Sequence, residues 1–295
     1  METQNYLKEI LRYRFGKSFL AIPFIFMFLC KAERQNSEMP VSTFKGGSYE
    51  QTFSTCRIGL AQSVMTVPKG EFHLVVQHRF SEISSNVNEF FGLDYASTRL
   101  GFDYGIFNWL TASIGRSMSV QTYDFAMKAL ILKQNSSNIP LSLSWYLNFL
   151  ENTSQGSEWD GHDSFGSRLS IVNQLFIARN QGIVSFQLSP MWLHSSYEVR
   201  KGSSMDVFAI DLDSRVRLTE MLGIIVEYIP IITNEEFTKT NPFTIGLDIN
   251  TGHHQFQLIF SNSQGTNEKT ILTNTTAGHV YFGFNLTRVF NSKMD

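Results

Sequence analysis

The sequence predicts an all-β protein, an antiparallel transmembrane β-barrel of about 12 strands with short periplasmic turns and longer outer loops. Three observations carry that prediction. Segments of about 9 to 11 residues alternate apolar and polar side chains along the chain, the length and period of tilted membrane strands. No run of about 18 apolar residues occurs, so nothing reads as a spanning helix. The last alternating stretch, His279 to Phe290, sets Val280, Phe282, Phe284, Leu286 and Phe290 against Tyr281, Gly283, Asn285 and Thr287, and closes on an aromatic.

Composition is compatible with this architecture. The 295 residues are 42% hydrophobic and 14% aromatic with 26 Phe, enough for a core and for a lipid-facing belt. A formal net charge of -2 gives no electrostatic reason to expect nucleic acid or a strongly acidic partner. No cofactor is expected.

Residues 1–32 read as a signal peptide. Lys8, Arg12, Arg14 and Lys17 form a basic lead-in, Phe19 to Leu29 an apolar stretch too short to span, and Ala32 a cleavage position. The bulky Phe28 and Leu29 argue against lipidation at Cys30, and the cationic lead-in argues against a buried helix. With that signal removed, Cys56 is the one remaining cysteine, and no intramolecular disulfide can form. The Asn-X-Ser/Thr sequons at Asn135, Asn152, Asn274 and Asn285 are read as chance. Residues 33–70 form an N-terminal periplasmic or lumenal segment, broken by Gly46-Gly47 and Pro68, with a hint of extended structure from Thr55 to Val67.

The barrel is expected over residues 71–290, followed by a tail at 291–295. Phe72, Leu74, Val76, His78 and Phe80 oppose Glu71, His73, Val75, Gln77 and Arg79 in the first strand. Thr98 to Tyr104 and Leu110 to Gly115 follow as a hairpin, then Tyr123 to Ile131 and Leu141 to Phe149, the clearest alternation of all. The sixth strand, Arg168 to Arg179, is weaker because Asn173 falls among Leu169, Ile171, Leu175 and Ile177. Val184 to Trp192 recovers the pattern despite Pro190, and Phe208 to Arg215, Ile224 to Tyr228, Phe243 to Asn250, Gln255 to Ser261 and the terminal strand complete it. The terminal strand should pair with Glu71 to Phe80 and so remove both sheet edges.

Connection lengths provide a separate check. Ser81 to Asp94, Glu151 to Gly166, Ser195 to Ser204 and Ser263 to Gly278 are long, whereas Gly105 to Asn108, Asn180 to Gly182, Thr219 to Met221 and Thr251 to Gly252 are short. This is the order expected of outer loops and periplasmic turns, with Lys133 to Ile139 the longest of the inner connections. A soluble β-sandwich or lipocalin-like barrel would also alternate, but strand number, strand length and the aromatic terminus favour the membrane form.

Short motifs occur in order from about Val64 to Phe290: Pro68-Lys69-Gly70-Glu71, His78-Arg79-Phe80, Phe91-Gly92-Leu93-Asp94, Arg99-Leu100-Gly101, Ile114-Gly115-Arg116-Ser117, Gln187-Leu188-Ser189-Pro190, Thr251-Gly252-His253 and Phe282-Gly283-Phe284-Asn285. In this the chain resembles the Bacteroidota β-barrel family grouped as domain of unknown function 5777. The resemblance implies an outer-membrane barrel and carries no substrate or catalytic residues with it. Ser81 stands where the family pattern suggests Gly, and His254 where an apolar residue suits the outward face.

Three sets of side chains are candidates for chemistry. The inward parity holds seven acids, Glu71, Asp103, Asp124, Asp211, Asp213, Glu227 and Asp248, and six bases, Arg79, Arg99, Lys128, Arg168, Arg215 and Arg217. Their near balance disfavours a strongly ion-selective pore and predicts a narrow or plugged lumen crossed by paired charges. His73, His78, His253, His254 and His279 lie on or beside strands, but His253 and His254 point to opposite faces and no chelating spacing exists, so no metal is expected. His194 and Ser196 share a face, as a base and nucleophile of a barrel phospholipase would, with no acid in the sequence pattern to orient the histidine. The favoured reading is a non-enzymatic outer-membrane barrel that passes or binds a small solute. The alternative is a structural module acting on a protein partner through its outer loops. Outer-membrane lipid and the barrel-assembly machinery are the expected partners.

Overall fold

A computed structural model describes residues 52–83, 96–135, 138–155, 166–197, 205–233, 240–251 and 254–291. Residues 1–51, including the predicted signal, lie outside the described residues, as do His253 and the tail from 292. Two short strands, β1 (Arg57–Ile58) and β2 (Ala61–Gln62), pair with each other ahead of the barrel. The barrel itself runs β3 (Glu71–Glu82), β4 (Ala96–Phe107), β5 (Leu110–Ser117), β6 (Thr122–Leu132), β7 (Ser142–Asn152), β8 (Leu169–Gln181), β9 (Val184–Ser195), β10 (Asp206–Arg217), β11 (Leu222–Tyr228), β12 (Phe243–Asn250), β13 (His254–Ser261) and β14 (Tyr281–Asn291).

Each of these twelve strands pairs antiparallel with the next, and β14 pairs back onto β3, closing the sheet. Closure satisfies the backbone of every strand within the sheet, which is what hydrocarbon demands. At the seam Phe290 sits opposite Phe72, and Phe72 in turn stacks on Phe102 with ring centroids 5.4 Å apart. Phe80 and Phe282 stack at 5.6 Å and 5°. The terminal aromatic therefore belongs to a ring ladder that joins the last strand to the first two.

Most short connections gather at one end of the barrel, the turn end, and most long ones at the other, the loop end; the exceptions are 118–121 between β5 and β6 at the loop end and 133–141 between β6 and β7 at the turn end. A two-residue turn joins β8 to β9 through Gly182 and Ile183. Gly182 takes φ +73 there, a value that suits glycine, and its N–H donates to Asn180 Oδ1. At the loop end Gln121 takes φ 43, held by Thr153, whose N–H and hydroxyl both donate to its carbonyl.

Outward side chains form an apolar belt that includes Phe102, Ile114, Phe125, Trp145, Phe208 and Ile245. Inward side chains are buried, yet they are not uniformly polar. Val172, Phe176 and Ala178 of β8, Leu193 of β9 and Val207 and Ala209 of β10 face the lumen and belong to one hydrophobic cluster with Phe53, Ile58, Leu60 and Val64 of the preceding segment. Asn173 is on the outward face, where its Oδ1 accepts the Trp145 indole N–H at 3.0 Å. The weak alternation of the sixth predicted strand thus has a physical cause: apolar side chains on both of its faces, one toward lipid and one toward a core inside the barrel.

Candidate functional site

Residues 52–67 run through the lumen and are the centre of the site. The hairpin β1–β2 turns at Gly59-Leu60. Gly59 adopts φ +54, and a Cβ there would come within 2.8 Å of Glu227 Oε2, so the turn requires glycine on two counts. Glu227 of β11 accepts from the buried amides of that turn, Leu60 N–H at 2.9 Å on Oε2 and Ala61 N–H at 2.8 Å on Oε1.

Lys128 of β6 holds the other side. Its ammonium donates to Cys56 O at 3.1 Å, Gln62 Oε1 at 3.1 Å, Ser63 O at 2.8 Å and Met65 O at 3.2 Å. Arg79 of β3 and Asn285 of β14 both reach Gly59 O. Ser144 of β7 donates to Val64 O, Gln187 of β9 accepts from Val64 N–H, Thr111 of β5 accepts from Val67 N–H and Gln257 of β13 donates to Arg57 O. Arg57 meets Asp103 of β4 at 3.4 Å, and Ser54 donates to Asp248 of β12 at 2.5 Å. The two barrel strands outside this set, β8 and β10, contribute apolar contacts instead. Polar hooks from ten wall strands and an apolar seat centred on β8 and β10 fix the segment as a plug.

The loop end contributes a second filling. Residues 263–273 fold inward and carry the short helix α1 (Glu268–Thr273), capped by Asn267, with Ile271 and Leu272 in the lumenal core. Glu268 accepts hydrogen bonds from Tyr146 Oη at 2.9 Å, Asn148 Nδ2 at 2.9 Å and Gln62 Nε2 at 3.4 Å. Plug and loop therefore meet at Gln62 and Glu268 inside the barrel. Beside α1 two cavities of about 240 and 200 Å³ open at the loop end. The second holds Lys269, whose Nζ donates to Ser170 Oγ and Ser195 Oγ at 3.0 Å each and lies 3.6 Å from the Tyr197 ring centroid. Burial pulls the Lys269 ammonium down to about 7.

The predicted lumen set divides four ways. Arg99 with Asp124 and Arg215 with Asp248 form wall-to-wall pairs. Arg79, Asp103, Lys128 and Glu227 engage the plug. Asp211 and Asp213 are buried on β10 beside Glu227. The remaining three are rim residues, which corrects their placement in a lumenal network: Glu71 lies beside His73 at the turn end, Arg168 donates to Ser154 O at the loop end, and Arg217 is exposed where β10 leaves the barrel. Parity put them on the inward face, but a strand's last residues extend past the sheet that would enclose them.

The described histidines do not converge. His73 is buried near Glu71, His78 faces outward between Phe80 and Phe284, His254 is exposed, and His279 pairs with Glu82 at 2.6 Å. His194 has an acid partner that the sequence pattern did not reveal, Asp206 at 3.0 Å, which also accepts the Trp192 indole N–H. No hydrogen bond joins His194 to Ser196 among the described residues. Arg57, Gln187, Ser144 and Lys269 are among the site residues that sequence reasoning missed. The neutral ones on the inward parity were legible as positions, though not as partners of the plug.

The match to known families covers the plug together with all twelve strands: the model of the membrane bound beta barrel domain (DUF5777) spans residues 53–290. The chain belongs to this family. The match begins at Phe53, ahead of the first wall strand, so the plug is part of the DUF5777 domain. No curated protein matches the chain. Among solved structures, the NanC porin aligns at 8% identity and a TM-score of 0.50, covering 74% of this chain and 98% of that one. The KdgM porin aligns at 8% and 0.48 over 74% and 99%, and the COG4313 outer membrane channel from Pseudomonas putida F1 at 14% and 0.48 over 77% and 98%. At these identities the likeness is one of fold.

Proposed function

We propose that this DUF5777 protein is an outer-membrane barrel for passage or capture of a small solute, closed in the present state by its N-terminal plug. One observation carries the reading: the plug is bound to the wall mainly by side-chain hooks onto its backbone, led by Lys128 and Glu227. Such hooks hold a segment without making it part of the sheet, so it can leave while the barrel stays closed. In this reading lipid surrounds the apolar belt, and the outer-membrane assembly machinery inserts the chain. The protein is then a conduit or receptor and not an enzyme.

Single-channel recording of the full chain in planar bilayers tests it. The wild type should be closed with rare openings, and Glu227→Gln or Lys128→Met should open more often. A barrel that stays silent in both variants, and also under urea sufficient to release the plug, overturns passage. That outcome would favour the structural reading, which the apolar packing of Val64, Phe176, Ile259 and Leu272 inside the barrel supports.

A further inference from the structure

Strand pairing brings three carboxylates together on the inner wall. Asp211 and Asp213 alternate inward along β10, and Glu227 is the register partner of Asp213 on β11. One oxygen from each lies within 4.8 Å of the other two. All three residues are at most 4% exposed. Among the described residues none of the three forms an ion pair: Arg215 is bound to Asp248, Lys128 is spent on the plug, and Arg79 is tied to Asn285 and Gly59 O, acting on Glu227 only at longer range. Three like charges at this spacing in a dry interior repel strongly and need positive compensation.

Two neutral side chains outside the acidic set point to what supplies it. Ser189 is the register partner of Asp211 on β9, fully buried, and its Oγ has no hydrogen-bond partner. Gln174 of β8, 1% exposed, sets its amide against Asp211 with Nε2 3.5 Å from Oδ2, and its Oε1 is likewise without a partner. Asp211 Oδ1 and Asp213 Oδ1 are also unsatisfied. Buried oxygens left without donors on the three adjacent strands β8, β9 and β10, beside the Glu227 carboxylate of β11, are acceptors grouped around a missing positive centre.

We propose that Asp211, Asp213 and Glu227, with Gln174 and Ser189, form a binding site for a calcium-sized divalent cation in the barrel wall. The donors are all hard oxygens, carboxylate, amide and hydroxyl, which select Ca²⁺ over softer metals. Two oxygens bound to a common Ca²⁺ at about 2.4 Å are separated by at most about 4.8 Å. The carboxylate spacing thus fits one shared ion. Mg²⁺ suits the site less well, because it demands shorter bonds and retains its waters. The site shares Glu227 with the plug, whose Leu60 and Ala61 amides that carboxylate accepts, but its other four residues do not figure among the plug's hooks, so cation binding and passage can fail separately.

The test is equilibrium dialysis of the purified, chelator-stripped full chain in detergent against radiolabelled Ca²⁺, with Mg²⁺ as competitor. The expected result is roughly one Ca²⁺ per chain, displaced poorly by Mg²⁺. Asp211→Asn combined with Asp213→Asn should abolish binding, and Ser189→Ala should weaken it by about tenfold. Folding of each variant is checked by its heat-dependent mobility on gels. No binding by the wild type at millimolar Ca²⁺ overturns the proposal and leaves shared protons as the compensating charge. Undiminished binding by Ser189→Ala, a small change that the fold tolerates, also overturns it, even if the double variant does not fold.

Discussion

The Arg99 guanidinium reaches the Asp124 carboxylate two strands away, Nε to Oδ2 at 2.9 Å and Nη2 to Oδ1 at 2.5 Å, across a gap left by Gly115. A Cβ built at Gly115 falls on the guanidinium itself. Gly115→Val should therefore break the bidentate pair and destabilise the barrel by about 3–5 kcal/mol, the cost of stranding a buried charge. The paired replacement of Arg99→Met with Asp124→Leu should cost far less, because it removes both charges together. Urea unfolding in detergent compares the two, and equal losses would show that the pair is not what Gly115 protects.

Cys56 reports on the plug. It is buried, and burial pushes its thiol up to about 11. At pH 8 only about one molecule in a thousand then carries the reactive thiolate. Maleimide labelling of the folded wild type should be slow and should accelerate with pH well above 8. Lys128→Met, which removes four hydrogen bonds to the plug, should bring labelling at pH 8 toward the rate of an ordinary cysteine.

Lys269 predicts a pH dependence. Its folded value near 7 lies below the ordinary lysine value of 10.5. Between those values the unfolded chain binds a proton that the folded chain does not, so stability rises with pH across that window. Below about 7 both states are protonated, and the cost of burying the ammonium is fully present. Unfolding midpoints measured at pH 7 and pH 10 should differ less in Lys269→Met than in the wild type.

The lumenal core predicts an asymmetry between two phenylalanines. Phe176 faces inward and is fully buried, whereas Phe125 faces the outer belt. Phe176→Ala should cost about 3–5 kcal/mol by leaving a cavity among protein atoms. Phe125→Ala should cost less, since lipid chains can fill the space it vacates. The same urea assay checks both.

Much of this architecture was legible in the sequence because the strand period is two and one face meets lipid. All twelve wall strands appear in the alternation, as does the closure of β14 on β3. Strand β8 was blurred because Val172 and Phe176 are apolar on the lumenal side, and nothing local shows that a plug will cover them. The charge balance correctly implied pairing, yet it could not say that Arg57 from the plug, absent from the inward parity count, would meet Asp103. Glu227 stood out as a lone acid on its strand, but its partners Leu60 and Ala61 lie more than 160 residues earlier. Alternation records which face a residue occupies and is silent on what arrives there from a distance.

The reach of those contacts bears on the order of assembly. Gly59 O is bound by Asn285 Nδ2 at 2.6 Å, across 226 positions of chain. The hairpin is translated before every strand that grips it, and its seat exists only once the last strand has met the first. Loop closure over such distances rewards no intermediate. The hairpin, first in the chain among the described elements, is thus the last to find its place, and its docking marks the completed barrel.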